Sequence, residues 1–120
     1  MIQIIPSLPA DVIGFEAIGT VTAHDYETVL MPAVEAASSG GARLRLLYFI
    51  GPEFDGFELG AIWDDAKVGL QHLGSWHRIA LVSDVEWIRS AVWLFGFALP
   101  GHVRTFPNSG LDEARQWVSQ

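Results

Sequence analysis

Four histidines (His24, His72, His77 and His102) and no cysteine are the first residues to weigh for chemistry. A zinc site takes several nitrogen, sulfur or carboxylate ligands at short chain spacings. No pair of these histidines stands four residues apart, as a helical H-x-x-x-H or H-E-x-x-H site requires. His72 and His77 flank an expected helix-to-strand turn, without further ligands nearby. Asp64 and Asp65 are adjacent, so on a helix they point about 100° apart, a poor geometry for a shared metal or an acid–base pair. Asp64 is better placed to pair with Lys67 one turn on. Ser75 and His77 are the nearest serine–histidine pair, at an expected turn beside Trp76. The chain has no nucleophile elbow, phosphate-binding loop or dinucleotide fingerprint. These residues imply no enzyme, no metal and no cofactor.

The aromatic residues carry more information. Phe57, Trp63, Leu70, Trp87 and Phe95 fall on two expected helices or their approach, where they would wall an apolar pocket. Val92, Trp93 and Phe97 are candidates for an outward apolar face that meets a second copy, another protein or a membrane. Arg89, one turn before Trp93, is the candidate polar anchor for a carboxylate or phosphate; its plainer role is a solvated arginine or a partner for Glu86. For the aromatic residues the plain alternative is ordinary core.

Composition limits the partners. Half of the 120 residues are hydrophobic and 18% are charged, with a net charge of −7. The acidic balance argues against nucleic acid and against broad attraction to anionic lipid. Membrane contact would then be local, peripheral and hydrophobic. The first residues, Met1 to Pro6, lack a basic leader pattern, and the longest nearly apolar run, Ala91 to Leu99, is far short of the ~20 residues that span a bilayer. The expected location is cytoplasmic. A chain of this length buries roughly two-thirds of its unfolded surface around one core, so residues 1–120 are expected to form one domain.

The elements that would position these residues follow from periodicity. Ile2 to Ile5 and Val12 to Ile18 read as strands in a hairpin-like antiparallel pair, with Ile13, Phe15 and Ala17 on one face of the second. Thr22 opens a helix with Asp25 three residues on, a capping box. Tyr26, Val29, Leu30, Ala33, Val34 and Ala37 continue it, Pro32 kinks it, and Ser38 to Gly41 ends it. Arg43 to Ile50 is a near-continuous apolar strand, covered on both faces, and Gly51 to Gly56 reads as a loop. A second helix carries Leu59, Ile62, Trp63, Ala66, Leu70 and Leu73. Arg78 to Val82 is a strand, and Ser83 with Glu86 a second capping box that opens a third helix. Val103 to Phe106 is the last strand, and Ser109 caps a final helix with Leu111, Ala114 and Val118 inward. The order ββαβαβαβα implies a mostly parallel sheet with right-handed crossovers.

Four stretches in that order resemble the SpoIIAA-like family of the STAS superfamily: Gly19-Thr20-Val21-Thr22-Ala23-His24-Asp25-Tyr26, Arg45-Leu46-Leu47-Tyr48, Ala61-Ile62-Trp63-Asp64-Asp65-Ala66-Lys67, and Arg78 through Ile88. Phe95-Gly96-Phe97 with Arg104-Thr105-Phe106 fits the family's ending. The resemblance implies a four- or five-stranded sheet with helices mainly on one side. It also implies regulatory relatives switched by phosphorylation of a serine after the central strand. Here the matching stretch, Gly51 to Glu58, contains no serine or threonine, which departs from that switch. Some relatives are associated with apolar ligands and membranes through analogy with the CRAL-TRIO fold.

Residues and resemblance together lead to the expectation of a non-enzymatic binding module. Its ligand would be a small apolar or lipid-like molecule held between the second and third helices. The alternative is a protein-interaction domain, homodimeric or partner-binding, without the phosphoswitch.

Overall fold

A computed structural model describes residues 1–6, 8–9, 11–38, 44–58, 60, 76–89 and 103–120. Five strands, β1 (Ile2–Ile4), β2 (Val12–Val21), β3 (Leu44–Phe57), β4 (Trp76–Ser83) and β5 (Val103–Phe106), form one sheet in chain order. β1 runs antiparallel to β2, and every later pair is parallel. The expected hairpin-like entry is present. Ile5 N–H donates to the Gly14 carbonyl at 2.8 Å, and Val12 N–H to the Pro9 carbonyl at 2.9 Å.

Strand alternation sends β2 and β3 side chains to two cores. On one face Phe15, Ala17, Leu46, Tyr48 and Ile50 meet Tyr26, Leu30 and Val34 of the first helix, and Ile88. On the other, Val12, Leu47, Ala80, Val82 and Phe106 meet Ala114 and Val118 of the final helix. Burial of each large apolar side chain contributes about 1.5–3 kcal/mol. The near-continuous apolar runs in β3 and β4 follow from this two-sided cover.

The first helix comprises α1 (Ala23–Asp25), a π-helical turn (Tyr26–Leu30) and α2 (Met31–Ser38). Thr22 and Asp25 form the expected capping box. Thr22 Oγ1 accepts Asp25 N–H at 3.2 Å, and Asp25 Oδ2 accepts Thr22 N–H at 2.8 Å. The π turn precedes Pro32. A proline there has no N–H for the carbonyl four residues back, and its ring crowds that carbonyl. Widening the turn, with Met31 N–H donating to the Tyr26 carbonyl five residues back, gives the ring room. Tyr26 and Tyr48 are both buried, and their hydroxyls lie 2.8 Å apart beneath this helix.

Four expectations need correction. Gly51 to Gly56 is strand, because β3 runs on to Phe57 and pairs again with the end of β2. Between Ala17↔Ile50 and Gly19↔Phe54, two steps along β2 match four along β3, so β3 bulges outward. Gly19 at φ +63° and Gly56 at φ +149° supply the backbone shapes this needs. Pro52 sits within the bulge, where no ladder donor is required. Second, Ser83 does not form a capping box with Glu86. Its hydroxyl accepts the N–H of Val85, two residues on, at 3.0 Å, and a helical turn follows at 86–89. Third, Ser109 does not cap the final helix. It lies inside a 3-10 turn (Asn108–Gly110), and α3 (Leu111–Ser119) starts after Gly110 with no side-chain cap. Asn108 N–H is satisfied instead by Asp84 Oδ1 at 2.9 Å. Fourth, Trp76 and His77, expected in a turn, are the first residues of β4.

α3 is held at its carboxyl end by two arginines. Arg45 Nη1 donates to the Val118 carbonyl at 2.7 Å and the Gln120 carbonyl at 2.9 Å, while its Nε pairs with Asp11 at 3.1 Å. Arg78 Nη1 donates to the Trp117 carbonyl at 2.6 Å, and its Cζ lies 5.0 Å from the Trp117 ring centroid. Cations at this end also oppose the negative pole of the helix dipole.

Candidate functional site

The parallel strands β2 to β5 share one carboxyl end of the sheet. At that end β3 outruns β4. The β4 pairing stops at Ile50↔Ser83, and β3 continues for seven residues, 51–57. Phe54 and Phe57 on this extension pack with their ring centroids 4.8 Å apart, tilted by 58°. Both are partly buried against the first-helix core. Trp87 comes from the helical turn that follows β4. It stands edge-on to Phe57 at 6.1 Å and 81°, and it is 53% exposed. The three rings form a ledge, anchored on the core side by Phe54, Phe57, Val85 and Ile88 and open on the side of Trp87.

Of the expected pocket residues, the structure brings Phe57 and Trp87 into contact. Arg89 is half-buried on the same turn as Trp87, its N–H bonded to the Val85 carbonyl at 3.2 Å. Trp63, Leu70, Phe95, Val92, Trp93 and Phe97 lie outside the described residues, as do His72, His102, Ser75, Asp64 and Asp65. Phe54 was missed, because Gly51, Pro52 and Gly56 around it read as loop. The signal available was the pair of phenylalanines three apart after a buried strand.

Two polar groups nearby meet the start of the first helix. Asp25, in the capping box, has its pKa lowered. Burial pushes it up, but the hydrogen bonds from the Thr22 backbone and hydroxyl, and the Met1 ammonium 3.3 Å away, outweigh that. Glu58 Oε1 accepts Ala23 N–H at 3.4 Å, a long bond. Among the described residues no cluster of three or more histidines and carboxylates could hold a metal ion. Nor is any helix among them long and apolar enough to cross a membrane. The arrangement offers aromatic surface and charge.

Fold and ledge together define a mixed α/β domain built on a mostly parallel five-stranded sheet, with aromatic contact surface beyond the strand ends. A family model described as SpoIIAA-like matches residues 12–119, and the chain belongs to the SpoIIAA-like family. Two solved structures resemble it. One is an uncharacterized protein of the DUF3478 family with a SpoIIAA-like fold, from Shewanella loihica PV-4. It is 30% identical, with a TM-score of 0.78, over 98% of this chain and 93% of that one. The other is the anti-sigma factor antagonist SpoIIAA in its unphosphorylated form. It is 12% identical, with a TM-score of 0.61, over 96% of this chain and 98% of that one, which shows a shared fold. No curated protein matches the chain.

Proposed function

We propose that this protein is a non-enzymatic binding module that docks a partner protein on the Phe54–Phe57–Trp87 ledge. The observation that carries this reading is Trp87: a large aromatic side chain left 53% exposed, yet held edge-on against Phe57 on a strand-anchored base. Rigid, partly exposed tryptophans supply contact area at low entropic cost and are enriched at interface hot spots. SpoIIAA-like domains often mediate protein interactions, which agrees with it. A second copy of the chain is one such partner, with Val92, Trp93 and Phe97 as the further contact residues.

A second reading has one observation in its favour. Phe57 and Trp87, two of the expected pocket-wall residues, do touch. On this reading they form one side of a site for a small apolar or lipid-like molecule, completed by Trp63, Leu70 and Phe95, with Arg89 as its polar anchor.

A photo-reactive amino acid placed at position 87, activated in the producing cell, distinguishes the two. Docking predicts a discrete protein adduct, absent when the same group is placed at Glu113 on α3. Native mass spectrometry of gently purified protein should then show an unmodified mass. A mass excess lost on denaturation and recovered in the organic phase supports the small-ligand reading instead. Absence of both a protein adduct and a bound molecule overturns both.

A further inference from the structure

Five carboxylates neighbour the ledge residues in the chain. Glu53 and Asp55 flank Phe54 in the chain, Glu58 follows Phe57, and Asp84 and Glu86 precede Trp87; all five are exposed. Asp84 also holds Asn108 N–H, and Glu58 makes its long bond to Ala23 N–H. None of the five has an ion-pair partner among the described residues. Arg89 is the one described base on this turn. The other described arginines of the sheet, Arg45, Arg78 and Arg104, sit at the amino ends of β3, β4 and β5. There Arg45 and Arg78 hold the end of α3, while Arg104 lies 4.8 Å from the Phe106 ring centroid. Among the described residues, these acids gather beyond the carboxyl end of the sheet and these arginines at its amino end. Clustered charge of one sign raises the local concentration of the opposite sign and speeds its encounter.

An exposed tryptophan with unpaired Glu86 beside it in the chain suits a cation. The ring attracts an ammonium or guanidinium through its quadrupole, and the carboxylates attract it through charge. The Phe54–Phe57 pair offers an apolar seat beside it. We infer that the ledge recognises a protein segment carrying arginine or lysine next to an apolar side chain, the cation against Trp87 and the apolar group against Phe54 and Phe57. This rests on the reading of the ledge as a docking surface, and it specifies the partner's chemistry. The same carboxylates repel phosphate groups, so nucleic acids and anionic lipid headgroups are disfavoured at this end.

Selection of short randomised peptides on the immobilised intact protein tests it, with amide chemical-shift mapping to locate binding. Expected winners carry arginine or lysine beside a leucine or aromatic residue. They should shift amides within 53–58 and 84–89 and bind more weakly as salt rises through the range where the Debye length shortens below ~10 Å. Glu58→Gln with Glu86→Gln should weaken them roughly tenfold, and Trp87→Ala by at least as much, about 1.4 kcal/mol or more. Circular dichroism should show both variants folded, since the altered side chains are exposed. Winners that bind the ledge without cation enrichment overturn this inference and leave the docking surface standing. Winners that map elsewhere, or no winners at all, overturn both.

Discussion

Asp25 shows how one side chain ties stability to pH. Its folded pKa is lowered from the usual carboxylate value, with burial opposed by the Thr22 hydrogen bonds and the Met1 ammonium. A carboxyl with a depressed folded pKa stabilises the native state fully above its unfolded value, near 3.8, and the contribution fades as pH falls from there through the folded value. Asp25→Asn should therefore lower the urea midpoint at neutral pH, by an amount equivalent to about 1 kcal/mol for a disrupted cap. The gap between variant and parent should narrow as pH drops below ~4. Urea titrations at the two pH values check this, and a gap that stays constant would remove the charge from the explanation. The Thr22–Asp25 pair was legible in the sequence because a capping box is local, set by residues three apart. Trp87 was legible as a candidate by its type alone. Its exposure was not, since that depends on where β3, β4 and the following turn stop relative to one another.

At the scale of elements, the strands of the parallel sheet were readable from their apolar runs, and the first helix from its periodicity. Reading failed where tertiary pairing overrides local composition. Gly51, Pro52 and Gly56 carry loop signals, yet the chain there is strand, because the end of β2 offers it a partner across a bulge. Ser109 has the right type for a cap, but the 3-10 turn shifts the helix start past it. The bulge makes a test of its own. Gly19 has φ +63° with open space around its α-carbon, so a side chain there meets backbone strain and no clash. Gly19→Val should lose roughly 1–2 kcal/mol and loosen the 51–57 extension that bears Phe54 and Phe57. Amide exchange should quicken within 51–57 and stay unchanged in 44–50. Uniform loss of protection along all of β3 would show that the extension has no separate stability.

For the whole molecule, two cores share one sheet, and the arginines fasten the second cover. Arg45 and Arg78 reach the last carbonyls of α3 from the first residues of β3 and β4. Arg78→Met keeps an apolar stem over Trp117 but removes the hydrogen bond and the charge. A loss of ~1–3 kcal/mol is expected, and a full-length unfolding titration measures it. Faster exchange should be confined to the last turn of α3; if the first turn loosens equally, the helix docks as one piece. The hydrogen bonds that secure α3 join residues 39, 73 and 75 positions apart in the chain. Contacts so distant require large loops to close before any of them forms, and topologies rich in such contacts fold slowly. α3 takes its final seat against β3 and β4 lying side by side, so its docking is expected late, with the Val82–Phe106 face uncovered until then.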